Sequence, residues 1–452
     1  MVKERDFYKL LLRIALPAVL QSLFSVGVNM IDNLMVASLG DASLAGVAMA
    51  NQLTVFLAYF IKGLSGGSAL MIAQYWGKRD IGAIKSLFSI VLRFSAQIIC
   101  AVVLVIFLFP ESVMRIFTNH PDIIREGADF LQIVCISYIF ATLSDTLASM
   151  LRSVEVVSVT LVLSIIALFT NMFFDYAMIF GHFGFPPMGV RGAALSTVIA
   201  RIVEFCVVCF FLFKVEKKIR FRPKDLLLYD KRLKKDFLRF GIPVVAGDLQ
   251  WGLVGTARSM VVGRMGTVMV TANSVAEVVM SFGFAFTSGL ASAACVVIGK
   301  SVGEKDYQKT RNYGKTIEIL FACVGIALAP LIFFGRGIPI AFYKNLSEEA
   351  KAMARIFLAI GAVSLAGTAY HASCFVGINR GAGDTRFVFL VDMICGWLVV
   401  VPATVLAGLV FHAPLPVVFF ATRIDQFFKW IIAFIRLRGK TWIKNVTRDR
   451  LE

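Results

Sequence analysis

The sequence predicts an all-α integral membrane protein with twelve transmembrane helices in two pseudo-symmetric six-helix lobes, and three observations carry this. The chain has 58% hydrophobic and 17% charged residues, with 41 Phe, where soluble domains have about 45–50% apolar and about 25% charged. Its apolar runs reach the ~20 helical residues needed to cross a ~30 Å hydrocarbon core. The two halves of the chain also repeat each other. A shift of 226 residues superposes Pro17 on Pro243, Val36 on Val262, Gly40 on Gly266, Phe56 on Phe282, Gly63 on Gly289, Gly77 on Gly303 and Asp80 on Asp306 without a gap.

The runs fall at 15–37, 44–73, 86–109, 127–150, 159–180, 192–213, 241–263, 269–298, 316–335, 352–377, 387–410 and 417–435. The first follows a charged stretch, Met1 to Arg13, and exceeds the 7–15-residue core of a signal peptide, so it reads as a retained span. The first six runs make a lobe over 1–213 and the last six a lobe over 241–436, with a basic linker at 214–240 between them and a tail at 437–452. Gly and Pro inside the runs, such as Pro17, Gly63, Gly67, Pro243, Gly283 and Pro402, are tolerated in membrane helices and mark bends and close packing. Gly77 and Gly303 are expected to end their helices at a positive φ, with Asp80 and Asp306 capping the helices that follow. Six helices separate the copies, so they share one topology and are related by an axis along the membrane normal.

Orientation follows from the net charge of +17. The N-terminus, the turns around 78–85, 299–315 and 380–386, the linker with 11 basic and 4 acidic residues, and the C-terminal tail are all basic. All lie on one side of twelve alternating spans, which makes both termini and the linker cytoplasmic. On this reading the linker is a tether lying on anionic headgroups of the membrane lipids.

A charged side chain at the bilayer centre is costly, so each acid inside a run needs a partner, a wet cavity or a function. Glu204 has Arg201 three residues before it, and Asp425 stands between Arg423 and Lys429; helical spacing lets these pair locally. Glu318 and Asp392 lie after Lys315 and Arg386 near helix ends, where side chains snorkel. Asp32 has no basic residue within four positions. Asp175 follows Asn171 by one turn, which places a carboxylate and an amide on one helix face. Such oxygens suit a proton or a hard monovalent cation. Asp248, Glu277 and His371 are candidates for a substrate cavity, with pairing of the two acids to Arg258 and Arg264 as the alternative.

Several function classes find no support. No Walker A motif, G-x-S-x-G, H-E-x-x-H or paired C-x-x-C occurs, which argues against ATP hydrolysis, hydrolase chemistry and zinc. The eight Cys all sit in apolar runs and read as packing residues, Cys206 and Cys209 included. Basic segments lack the interleaved aromatics that stack on nucleic acid.

The segments MIDNLMVASLGDASLAGVAMANQ (30–52), AQYWGKRD (73–80), TNMFFDYAMIFG (170–181), GAALST (192–197) and RGAGDTRF (380–387) resemble the multidrug and toxic compound extrusion (MATE) family of secondary antiporters over essentially the whole chain. The resemblance implies two six-helix lobes around a central cavity, residing in the plasma membrane. It also implies export of small amphipathic, cationic compounds in exchange for H⁺ or Na⁺, without ATP, enzymatic chemistry or another cofactor. It places a cation site on Asp32, Asn171 and Asp175, with Thr197 as a further member. A second family pattern, with acids in spans 7 and 10, is matched only by Asp248, because span 10 offers His371. The alternative function is a flippase for lipid-linked or polysaccharide precursors, from the same wider superfamily. The protein is expected to act as a monomer.

Overall fold

Eleven of the twelve apolar runs become a helix each, most of them extended by a turn or more, and the last becomes two. The computed structural model describes residues 2, 4–37, 41–116, 121–341, 346–439 and 441–448, and only the backbone of 28–34, 36–37, 41–45 and 48. Among the described residues there is no β-strand. The first half comprises α1 (Arg5–Ala37), α2 (Asp41–Gly77), α3 (Ile81–Leu108), α4 (Pro121–Ser153), α5 (Ser158–Phe180) and α6 (Val190–Phe210). The second comprises α7 (Lys231–Gly263), α8 (Thr267–Gly303), α9 (Tyr307–Gly335), α10 (Glu348–Asn379) and α11 (Thr385–Val410). The twelfth crossing is split into α12 (Leu415–Ala421) and α13 (Lys429–Arg438) by a 3₁₀ turn at Ile424–Phe427. Nine of these helices are, by length and composition, apolar enough to cross a membrane. The other three carry more charge or a break: α6 holds Arg191, Arg201 and Glu204, α7 opens with KRLKKD, and the twelfth is interrupted.

The chain forms two compact units, Leu20–Val245 and Met1–Val19 with Ala246–Glu452. The division falls at equivalent positions of the repeat, just beyond Pro17 in α1 and Pro243 in α7, both inside their helices. Two duplicated glycines account for it. In the first unit a Cβ on Gly63 of α2 would stand 2.6 Å from the Val245 Cα of α7. In the second, a Cβ on Gly289 of α8 would stand 2.6 Å from the Val19 backbone nitrogen of α1. Real atoms do not approach so closely, so only glycine permits either helix pair its spacing. Short helices at Pro110–Met114 and Gly337–Ala341 follow the third helix of each half, and each buries one side chain at the repeat-equivalent positions Met114 and Ile340.

The caps are duplicated as well. Asp80 accepts from the Ala83 N–H at 3.0 Å and Asp306 from the Lys309 N–H at 2.9 Å, at the starts of α3 and α9. The positive φ of +60° belongs to Arg79 and Lys305, whereas Gly77 and Gly303 end α2 and α8 as helical residues. The turn therefore tightens two residues later than the glycines suggest.

The linker packs on its own unit. Phe221 is buried against Phe88 of α3, with ring centres 5.6 Å apart. Lys85 of α3 pairs with Asp225 at 2.8 Å and donates to the Arg220 carbonyl at 3.0 Å, and the Ser89 hydroxyl donates to the Leu226 carbonyl at 2.6 Å. Burial raises the Asp225 carboxyl, but hydrogen bonds from the Lys85 ammonium and the Arg222 N–H outweigh it and hold the group below the usual carboxylate range. The tail is also anchored. Trp442 is buried beside Gly314 of α9, and Asp384 of the RGAGDTRF motif pairs with Arg436 at 2.7 Å and Lys444 at 2.5 Å.

Candidate cation site

In the unit Leu20–Val245, α5 and α6 run antiparallel through the turn at 181–189. Their spacing is set at Gly192, where a Cβ would lie 2.7 Å from the Met178 carbonyl carbon. One turn further along α6, and three residues back along α5, Ser196 meets Asp175. The Ser196 hydroxyl lies within hydrogen-bonding reach of the Asp175 carboxylate and, at 2.8 Å, of the Ala193 carbonyl. Asp175 is 1% exposed and Asn171, one turn earlier on the same helix, 4%. The Asn171 amide nitrogen has no hydrogen-bond partner among the described residues. A carboxylate, an amide and a hydroxyl thus converge away from solvent, a donor set that fits a proton or a small hard cation.

Two of the residues named from the sequence, Asn171 and Asp175, come together here, and Ser196 joins them. Thr197 is half-buried and returns its hydroxyl to its own helix, donating to the Ala193 carbonyl at 3.0 Å. Ser196, its neighbour in GAALST, is the residue that meets the carboxylate. The one-residue difference follows from the 3.6-residue period: Ser196 is four residues after the Gly192 contact and shares its face. The side chain of Asp32 lies outside the described residues. The same unit holds a separate charged group, in which Arg201 pairs with Glu204 at 2.7 Å, as their spacing predicts.

The second unit handles its acids differently. Asp248 makes a two-pronged ion pair with Arg380, at 2.8 and 3.1 Å, with both side chains buried. Glu277 pairs with Arg423 at 2.7 Å. The partners are thus not Arg258 and Arg264, the alternative that the sequence offered, and Arg258 donates to the Thr422 carbonyl at 2.8 Å. Asp392 and Asp425 hold the Lys429 ammonium between them, at 3.0 and 2.8 Å. Asp392 does not snorkel: it is 4% exposed, and its partner Lys429 0%. His371 is buried and donates from Nδ1 to the Gly367 carbonyl at 3.1 Å. The polar cluster adjoins non-α backbone, with π-wound turns at Ser373–Asn379 and Cys395–Val400 and the 3₁₀ break at Ile424–Phe427. Backbone irregularity at membrane depth is tolerated where protein encloses it. Among the described residues, no group of three His, Cys, Asp or Glu side chains is arranged to hold a metal ion.

Comparison with known proteins agrees with this architecture. The family model described as MatE matches residues 17–177 and again 249–406, once in each half of the repeat. A probable multidrug resistance protein NorM from Agrobacterium fabrum is 27% identical over 409 residues, covering 86% of this chain and 84% of that one. The uncharacterized transporter YisQ of Bacillus subtilis is 23% identical over 422 residues, covering 91% and 90%. Among solved structures, a mutant of the Vibrio cholerae MATE transporter VcmN superposes with a TM-score of 0.88 at 14% identity, covering 98% of both chains. A MOP superfamily transporter from Pyrococcus furiosus superposes with 0.86 at 18%, covering 95% of both.

Proposed function

Since the chain belongs to the MATE family of membrane transporters, we propose that it is a secondary active antiporter exporting small amphipathic, cationic organic compounds in exchange for H⁺ or Na⁺ by alternating access. The observation that carries this reading is the buried Asn171–Asp175 pair with Ser196 against it. A carboxylate in that setting costs free energy unless a cation or a proton neutralises it, so its occupancy is a means of moving a conformational equilibrium. Asp32, on the first span, is a further member of the set, and Thr197, whose hydroxyl donates to the Ala193 carbonyl, stands outside it. Cation and drug then favour opposite states, and each weakens the other's binding by the same factor. The export of drugs is supported by the names of the NorM relatives. Both termini and the linker at 214–240 face the cytoplasm of a plasma-membrane protein that works as a monomer, with lipids as its surroundings and no cofactor beyond the coupling ion.

The test is transport by the purified protein in proteoliposomes, with a panel of organic cations and either a pH or a sodium gradient imposed. Uphill drug movement driven by one of the two gradients is the expected result. Movement of drug that ignores both gradients, or movement of lipid-linked precursors in its place, would overturn the reading.

A further inference from the structure

We propose that the Lys429 ammonium is a built-in cation: it fills, in place of an external monovalent ion, a carboxylate site formed by Asp392 and Asp425. Lys429 is the first residue of α13, is fully buried, and places Nζ 3.0 Å from Asp392 and 2.8 Å from Asp425. The Trp251 ring centre lies 4.4 Å away, adding a cation–π contact on a further side. The chain breaks its helix beside this point, and Lys429, four residues after Asp425 in the 3₁₀ turn, meets both Asp425 and Asp392 of α11. A compact ammonium between two carboxylates and an aromatic face has the charge and approximate size of a small monovalent ion.

Two further features fit a cation site already filled. The buried Gln250, next to Trp251, has neither of its amide atoms hydrogen-bonded among the described residues, and its Oε1 lies 3.3 Å from where a Cβ on Gly396, one turn beyond Asp392, would sit. An amide oxygen is thus present near the carboxylates. The neighbouring acids are also matched internally. Asp248 has Arg380, Glu277 has Arg423, and Arg258 donates to the carbonyl of Thr422, three residues before Asp425. Asp248, Asp392 and Asp425 are matched in number by Arg380, Lys429 and Arg258, so these acids leave no net charge to attract another cation. It follows that coupling belongs to the Asp175 site alone, a consequence that rests on the antiporter reading; the filled site itself does not.

The measurement uses the purified full chain carrying Asp175→Asn, which weakens cation binding at the other site. Bound sodium is counted by equilibrium dialysis with radioactive sodium, and unfolding midpoints are compared in sodium, methylammonium and N-methylglucamine chloride. Adding Lys429→Ala should create one extra saturable sodium per chain and a midpoint that sodium or methylammonium raises and N-methylglucamine does not. Lys429→Arg should keep the parent's sodium count, and Asp425→Asn on top of Lys429→Ala should abolish the extra ion. The proposal is overturned if Lys429→Ala gains no sodium, if the extra ion survives Asp425→Asn, or if the Lys429→Ala chain fails to fold in all three salts. No gradient or drug enters the measurement, so a failure of the antiporter reading is seen separately.

Discussion

In the unit Leu20–Val245 the buried Asp175 meets a hydroxyl, one turn from an amide, on two unbroken helices. In the other unit Asp248, Asp392 and Asp425 each meet a lysine or arginine, among π-wound and 3₁₀ turns. The units descend from one duplicated plan, down to the same capping aspartates and the same glycine contact of the second helix. Their polar interiors have diverged. A carboxylate with a tethered counter-ion has its charge settled at every stage of a cycle, whereas one beside a hydroxyl and an amide changes its free energy whenever a proton or ion arrives or leaves. The first arrangement holds a unit together, and the second gives a unit something to respond to.

The largest expected effect tests the ion-paired unit. Arg380→Met leaves the Asp248 charge buried alone, a loss of about 3–5 kcal/mol, and should sharply reduce folded protein measured by detergent size-exclusion. Arg380→Met with Asp248→Leu should recover most of it. If the single variant folds as well as the parent, the pair does not stabilise this unit.

Next come the repeated glycines. Gly63→Leu and Gly289→Leu each force a side chain into backbone that a bare Cβ already meets at 2.6 Å, and overpacking of this kind costs about 1–3 kcal/mol or more. Similar drops in unfolding midpoint are expected for the two. A drop in one alone would show that the duplicated contact has lost its equivalence.

A smaller effect separates neighbours on α6. Ser196→Ala removes a hydrogen bond to a carboxylate, worth about 1.5–3 kcal/mol, and should change the half-maximal coupling-cation concentration by about tenfold or more. Thr197→Ala, which loses only a bond to its own helix, should change it by less than about twofold. Equal effects would return Thr197 to the site.

The smallest concerns the linker. Asp225 is held ionised by Lys85, so its contribution to stability is present above the unfolded carboxylate range and disappears as pH falls through the lowered folded value. Asp225→Asn should therefore lower the unfolding midpoint at neutral pH by an amount equivalent to about 1 kcal/mol or less. The difference from the parent should vanish in strong acid, and a difference independent of pH would rule out the ion pair as its source.

The sequence made local and periodic features readable. The twelve runs became the twelve crossings because membrane thickness fixes their length, and the duplicated Asp caps and Asn171–Asp175 were visible at fixed short spacings. Arg201–Glu204 and Asp425–Lys429 were found because they lie within one helical turn. Partners on other helices were not. Asp248 reaches Arg380 across 132 residues and Asp392 reaches Lys429 across 37, distances over which no helical spacing predicts a meeting. Ser196 was overlooked in favour of Thr197 because adjacent hydroxyls in GAALST can be told apart only once Gly192 fixes which face of α6 touches α5. The positive φ was assigned to Gly77 and Gly303, yet Arg79 and Lys305 adopt it.

Coupling of the cation to the drug at Asp175 is tested by gradient-driven efflux by Asp175→Asn, measured in proteoliposomes beside equilibrium binding of the same drug in detergent. The expected result is a folded protein that still binds the drug but no longer moves it against a gradient under an imposed pH or sodium difference. Efflux at the parent's rate from normally folded Asp175→Asn would contradict it.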